Sequence, residues 1–269
     1  MGALLALASS VLYGVADFAG GMLSRRAGFA PVALTGQASG LVLMLVVAPL
    51  VPGSPSAVDL GWGALSGIGT GVGMLFLYRG MSRGAMSVVV PVAAVGGLAV
   101  PALVGIALLH DRPTAPALAG MVLAVPTLWL VTRDGGAGSG GVLDGLLASV
   151  FIAVQYLALA LAAPEAGLWP VLAGRVTATL ALVPLARRPP ADRRVLLGAA
   201  ATGACATLAL VAYLLATRAQ LLSVAVVLSS LYPVIPVVLG LTVLRERLTR
   251  PQLAGLLGAS AAIVLLTLG

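Results

Sequence analysis

The stretch His110-Asp111-Arg112-Pro113-Thr114-Ala115-Pro116-Ala117-Leu118-Ala119-Gly120 returns as Arg245-Glu246-Arg247-Leu248-Thr249-Arg250-Pro251-Gln252-Leu253-Ala254-Gly255, a constant 135 positions later. In both copies an acid–arginine pair leads into Thr-x-Pro, and the segment closes on Leu-Ala-Gly. The sequence around both copies is apolar enough to lie in lipid. A membrane chain that repeats itself internally has the build of a carrier.

The match extends outward. Residues 61–120 align with 196–255 without gaps, pairing Gly63 with Gly198, Tyr78 with Tyr213, Arg83 with Arg218, Pro101 with Pro236 and Gly105 with Gly240. The opening segments match at a shift of 139: Ser10 with Ser149, Gly28 with Gly167, Pro31 with Pro170. Leu/Ala/Val-rich helices resemble one another by chance, so the prolines, glycines and loop charges carry the alignment.

Composition sets the solvent. Of 269 residues 60% are hydrophobic and 9% charged, with a mean hydropathy of +1.12, whereas an ordinary soluble domain is about 25% charged. Lipid must take up the excess apolar surface. The net charge of +7 comes from arginines scattered between apolar runs. They form no basic stripe, which argues against nucleic acid as a partner. All fifteen basic residues are Arg, and Lys and Asn are absent. Cys205 stands alone, so neither a disulfide nor a cysteine metal site is expected. The opening Met1-Gly2-Ala3-Leu4-Leu5 lacks a basic flank, and Asp17 interrupts the apolar run behind it. The segment therefore reads as a first span and not as a cleaved leader.

A spanning helix needs roughly 20 apolar residues (about 17–25). Ten segments qualify, near 3–23, 31–51, 61–79, 85–109, 115–132, 141–163, 168–186, 195–216, 221–244 and 250–268. Turn residues separate them: Arg25-Arg26-Ala27-Gly28, Pro52-Gly53-Ser54-Pro55, Arg133-Asp134-Gly135-Gly136 and Arg187-Arg188-Pro189-Pro190. The expected fold is an all-α integral membrane protein of ten transmembrane helices in two five-helix repeats, residues 1–134 and 135–269. An odd number of spans turns the second copy over, placing substrate between the halves at mid-depth. The loops after spans 1, 3, 5, 7 and 9 hold Arg25, Arg26, Arg79, Arg83, Arg133, Arg187, Arg188, Arg193, Arg194, Arg245, Arg247 and Arg250, against Arg112 and Arg218 elsewhere. The positive-inside rule then makes those loops cytoplasmic and puts both termini outside.

Asp17 is the one acid of eight set well inside a span. A carboxylate there is expensive and must face a cavity or a partner: a substrate amine or a proton on one reading, a structural pair or packing hydrogen bond on the other. Arg175, inside the seventh span, either meets an anionic group through its planar fork or snorkels to the nearer interface. The two differ in depth by on the order of 10 Å, which argues against a direct salt bridge. Tyr13, Gln37, Tyr78, Gln155, Tyr156, Tyr213 and Tyr232 supply the other large polar tips within or near spans. A cavity lined by aromatics and a few polar groups is the usual small-molecule site, while each tyrosine alone also suits an interface. Gly63, Gly67, Gly71, Gly69 and Gly73 read as close helix packing. Pro91, Pro101, Pro126, Pro233 and Pro236 lie within spans as kinks or gating hinges. Trp62, Trp129 and Trp169 fall at span ends, as an interfacial belt requires. The Asp111/Arg112 and Glu246/Arg247 turns read as structural helix ends, and His110 as interfacial. Without Lys there is no phosphate loop, and neither His-Glu-x-x-His nor Gly-x-Ser-x-Gly is present. No enzyme activity, cofactor or metal is expected.

Tyr13-Gly14-Val15-Ala16-Asp17-Phe18-Ala19-Gly20-Gly21 resembles the first-helix motif of EamA-type members of the drug/metabolite transporter superfamily. The Asp111-Arg112-Pro113-Thr114 and Glu246-Arg247-Leu248-Thr249 turns resemble that family's Glu-Arg-Leu-Ser/Thr turn after the fourth and ninth helices. The resemblance spans essentially the whole chain. Tyr13 replaces a common Trp, and Asp111 the usual Glu. It implies export of amino acids, other metabolites or drugs, with cytoplasmic termini, opposite to the arginine count. The combined expectation is a secondary transporter, multi-pass in a bacterial inner (plasma) membrane. It would export a small metabolite or amino acid by alternating access between repeats, around a site lined by helices 1, 2, 3, 6, 7 and 8. Its partners are a small-molecule substrate and the lipid bilayer, with proton coupling at Asp17 compatible with the residues. The alternatives are a membrane-embedded scaffold or enzyme without transport.

Overall fold

The computed structural model describes residues 2–108, 113–133, 139–186, 188–219 and 228–268. Among these, all regular structure is helical: α1 (Gly2–Ala27), α2 (Phe29–Val47), α3 (Ala57–Arg83), α4 (Met86–Leu108), α5 (Ala115–Thr132), α6 (Ser139–Ala160), α7 (Trp169–Leu182), α8 (Arg193–Ala219), α9 (Val234–Thr242) and α10 (Arg250–Thr267). Eight of them, all but α7 and α9, are long and apolar enough to cross a bilayer, and each coincides with an apolar segment of the sequence. The chain is a multi-pass, all-α membrane protein.

The two exceptions have local causes. α7 holds 14 residues, about 21 Å at 1.5 Å per residue. It stops before Pro184, and the amides of Leu185 and Ala186 fold back onto the Leu182 carbonyl. α9 holds 9 residues. Its expected span, 221–244, falls partly outside the described residues, and the described part is broken by a turn over 230–233 that ends at the N-cap Pro233. Pro236, expected to kink an interior, is the third residue of α9. A first-turn amide has no intrahelical acceptor, so proline is tolerated there. Pro91 and Pro101 do lie inside α4, and Pro126 inside α5.

The repeated turns end as matching caps. The Thr114 hydroxyl accepts from the Ala117 amide at the start of α5. Thr249 accepts from the Gln252 amide at the start of α10, and the Gln252 side chain returns a bond to the Thr249 amide. The acid of the second turn does more. Glu246 accepts from the amides of Met86 (2.9 Å) and Ser87 (3.0 Å) and from the Ser87 hydroxyl (2.6 Å), so it caps α4. Arg245 sits before it in the left-handed region (φ 54°). The first turn's His110, Asp111 and Arg112 lie outside the described residues.

Small residues set the crossings. On α3, Gly63 abuts the Pro170 backbone, Gly67 abuts Gly174, and Gly71 lies against the Ala178 carbonyl, which seats α7 along one face. Gly69 and Gly73 receive Phe151, Ile152 and the Gln155 backbone of α6 on another. Residues four apart stack on one helix face, so such a stripe admits a neighbouring backbone. α8 meets α2 in the same manner, Gly203 against Gly36 and Thr207 against Gly40. α5 and α10 run antiparallel, with Gly120 packed on Leu265 and Leu266, and Gly255 on Leu130 and Val131.

The helix ends gather on two chemically different faces. On one, Arg25 at the end of α1 donates to the carbonyls of Met81 and Gly84 (both 2.9 Å) and lies 3.7 Å from Glu246. Arg79 and Arg83, at the end of α3, both meet Asp144 of α6. Arg26 and Arg188 line one shallow cavity with Asp192. On the other face Asp59 accepts from the Ala163 amide (2.8 Å) and the Ser54 amide donates to the Glu165 carbonyl (2.9 Å). Arg25, Arg26, Arg79, Arg83 and Arg188, from loops that the sequence assigns to one side, thus share a face.

Candidate functional site

α1 organises the centre. Asp17, the sixteenth of its 26 residues, is 7% exposed. Gly14 and Gly20 lie three residues to either side, on the same helix face. At Gly20 an added Cβ would fall on the Tyr78 hydroxyl, so this glycine seats the Tyr78 phenol beside Asp17. At Gly14 it would meet Ile235 and the Tyr232 carbonyl, so the turn before α9 rests directly on α1. Ser229 fastens that turn by donating to the Ala6 carbonyl (3.3 Å).

The tyrosines converge here. Asp17 lies within electrostatic reach of the phenols of Tyr13, Tyr78, Tyr156 and Tyr232. Tyr213 lies within reach of Tyr13 and Tyr156. These are all five tyrosines of the chain, brought together from α1, α3, α6, α8 and the turn before α9. The rings of Tyr13 and Tyr232 stand 6.2 Å apart at 55°, as adjoining walls. The Tyr78 hydroxyl bonds Thr202 of α8, whose own proton goes to the Ala199 carbonyl (2.7 Å). Asp17 itself has no hydrogen bond or ion pair among the described residues.

Arg175 points inward, which sets aside the snorkelling expectation. Seventh of the 14 residues of α7, it donates through Nη1 to the Gln37 Oε1 (2.8 Å), and Gln37 is 2% exposed. The guanidinium lies over Gly40 of α2, and its charge reaches Tyr13 and Tyr78. No ion pair joins it to Asp17 among the described residues. Tyr13 and Tyr78 are each within electrostatic reach of both charges.

No family model and no curated protein matches this chain. A solved crystal structure, described only as that of a protein, aligns with a TM-score of 0.57 over 99% of this chain and 98% of that one, at 19% identity. At that identity the likeness is one of fold.

Eight of the nine residues singled out from sequence therefore meet in one region. Gln155 is the exception: its backbone packs on Gly69 of α3, and among the described residues no hydrogen bond ties its side chain to the rest. Sequence reading passed over Thr202, whose hydroxyl looks like any other helix-facing threonine. It also passed over Asp144, 1% exposed, because a carboxylate in the first turns of a span reads as interfacial. Chemically, the centre offers one carboxylate with no hydrogen bond or ion pair among the described residues, one guanidinium with a single described partner, and several phenols near them.

Proposed function

We propose that this chain is a secondary transporter of the EamA type, in a bacterial plasma membrane, exporting a small metabolite or amino acid by alternating access. The observation that carries this reading is the gathering of Tyr13, Tyr78, Tyr156 and Tyr232 near Asp17, a carboxylate with no hydrogen bond or ion pair among the described residues, deep among apolar helices. Holding an isolated acid at such depth is costly in lipid, and intramembrane ionisable groups mark pathways.

Two inverted five-helix units, ten spans in all, account for the contacts between helices. The Gly67–Gly174, Gly71–Ala178 and Thr177-to-Ala64 contacts of α3 with α7 recur in α8 with α2 as Gly203–Gly36, Thr207–Gly40 and Ser39-to-Ala200. Both sets are matched by shifting α2 138 positions onto α7 and α3 136 positions onto α8, one off the registers read from sequence. At the same shift Gln37 corresponds to Arg175, so their hydrogen bond joins equivalent positions of the two halves. Gly120 on Leu265 and Leu266 likewise corresponds to Gly255 on Leu130 and Val131 at a shift of 135. Equivalent helices packed antiparallel are what an axis in the membrane plane produces.

In operation the halves rock about this centre, opening it to one side and then the other. Asp17 takes a cationic group or a proton, the rings take the apolar body, and Arg175 with Gln37 holds the opposite end. Efflux from a sensitised host over a panel of amino acids and organic cations, repeated with purified protein in liposomes, tests the reading. Export that disappears in Asp17→Asn at unchanged membrane level supports it. No flux of any panel solute in liposomes would count against it.

A further inference from the structure

On the face that carries Arg25, not every arginine is answered by an acid. Arg25 lies 3.7 Å from Glu246, and Arg79 and Arg83 meet Asp144. Arg26 and Arg188 have no hydrogen bond or ion pair among the described residues. Both line one cavity of about 460 Å³, within the roughly 300–1,000 Å³ of small-ligand pockets. Two parts of the chain build it. Gly28 (φ 84°) turns α1 directly into α2, which sets Arg26 beside Pro31, the third residue of α2. The other wall runs from Arg188 to Val195 and is stiffened by two prolines. Pro190 and Val195 are buried, and Val195 packs in the apolar cluster of Ala30 and Ala199. The lining is thus anchored in the core, while both arginines are exposed. Asp192 is the one acid on the wall, and it is engaged elsewhere. Its Oδ1 accepts from the Arg194 amide (2.8 Å) and its carbonyl from the Leu196 amide (2.9 Å), so it caps α8. Arg193 and Arg194 follow it as the first residues of α8, where the helix dipole disfavours positive charge. Four arginines therefore lie close to a single carboxylate, and a bound anion would relieve their repulsion.

We propose that this cavity binds a phosphate group through Arg26 and Arg188, the phosphate being carried by an anionic phospholipid headgroup or free in solution. Guanidinium forks on two walls match phosphate oxygens. The cavity lies where spanning helices end, and basic pockets at that level take anionic headgroups. The site stands apart from the Asp17 centre and does not depend on transport.

The test uses the full-length protein in neutral detergent micelles. One arm measures binding of phosphatidylglycerol against phosphatidylcholine. The other measures binding of radiolabelled inorganic phosphate at matched ionic strength. Saturable binding in either arm is expected, and the arm that responds names the source of the phosphate. Arg26→Gln with Arg188→Gln should weaken that binding about tenfold or more. Lysine at both positions should keep part of it, because the charge stays and the planar fork goes. Asp192→Asn should tighten it several-fold, since asparagine caps α8 as well as aspartate does and the facing negative charge is gone. Arg133→Gln with Arg250→Gln removes the same charge from the ends of α5 and α10 and should leave binding nearly unchanged. Equal losses in the two double variants would mean a general attraction to a basic surface and would overturn the proposal. So would binding that ignores Arg26 and Arg188, or no binding in either arm.

Discussion

Two buried acids show two ways of keeping a charge among apolar helices. Asp144 is answered by arginine: Arg79 Nε donates to its Oδ1 at 2.9 Å, and Arg83 lies 3.7 Å from its Oδ2. Asp17 has no hydrogen bond or ion pair among the described residues, although it is 7% exposed. Removing one partner of a buried pair strands the other charge. Arg79→Ala should therefore lower stability by on the order of 3 kcal/mol, the low end for a buried pair because the arginine side chain is 27% exposed. Thermal unfolding in detergent would measure it, and an unchanged midpoint would mean that Arg83 suffices. Gly20→Leu should unseat Tyr78 at an overpacking cost of about 1–3 kcal/mol and reduce transport more than it reduces membrane level. Flux per molecule in liposomes is the readout. Asp17 was legible in sequence because it is alone among apolar residues. The Asp144 pair was not, because its arginines come from a different helix and periodicity does not report which helices meet.

At the scale of elements, spans of continuous apolar sequence were legible and their interruptions less so. α3 and α8 track their apolar stretches to within a few residues. α7 stops four residues early at Pro184, and α9 begins only at Val234, after a turn that rests on Gly14 of α1. A long apolar run gives the same hydropathy whether its helix is whole or broken, so such breaks are decided by proline position and packing. The Thr-x-Pro motif was legible because capping is local chemistry. Thr114→Ala and Thr249→Ala should each cost about 1 kcal/mol. Glu246→Ala should cost more than either, since it strips the α4 amides of Met86 and Ser87 of their acceptor and takes away the acid beside Arg25. Comparing the three unfolding midpoints checks the order, and equal shifts would argue that the Glu246 cap contributes little.

For the molecule as a whole, the arginine count was the most informative feature of the sequence. Loops distant in the chain share a face: Arg25 with Glu246, Arg79 with Asp144, Arg26 with Arg188. Asp59, Ala163 and Glu165 share the opposite one. The positive-inside rule predicts that the first face is cytoplasmic. In a Cys205→Ser background, cysteines at Ser54 and Glu165 should react with an impermeant thiol reagent outside intact cells, and those at Arg26 and Asp192 only after lysis. Reaction of all four from one side would refute the two-faced arrangement. The register of the proposed repeat was less legible, because Leu, Ala and Val tolerate shifts of one residue and the close contacts of small residues, Gly67 on Gly174 and Gly203 on Gly36, suggest it instead.

The most direct trial of alternating access needs no substrate. A single cysteine replacing Tyr213, in the same background, would be probed in sealed vesicles of known orientation with an impermeant reagent applied to each side in turn. Alternating access about the Asp17 centre predicts labelling from both sides, with one rate falling as the other rises when a cation gradient is imposed. Labelling from neither side, or from one side under every gradient, would contradict it.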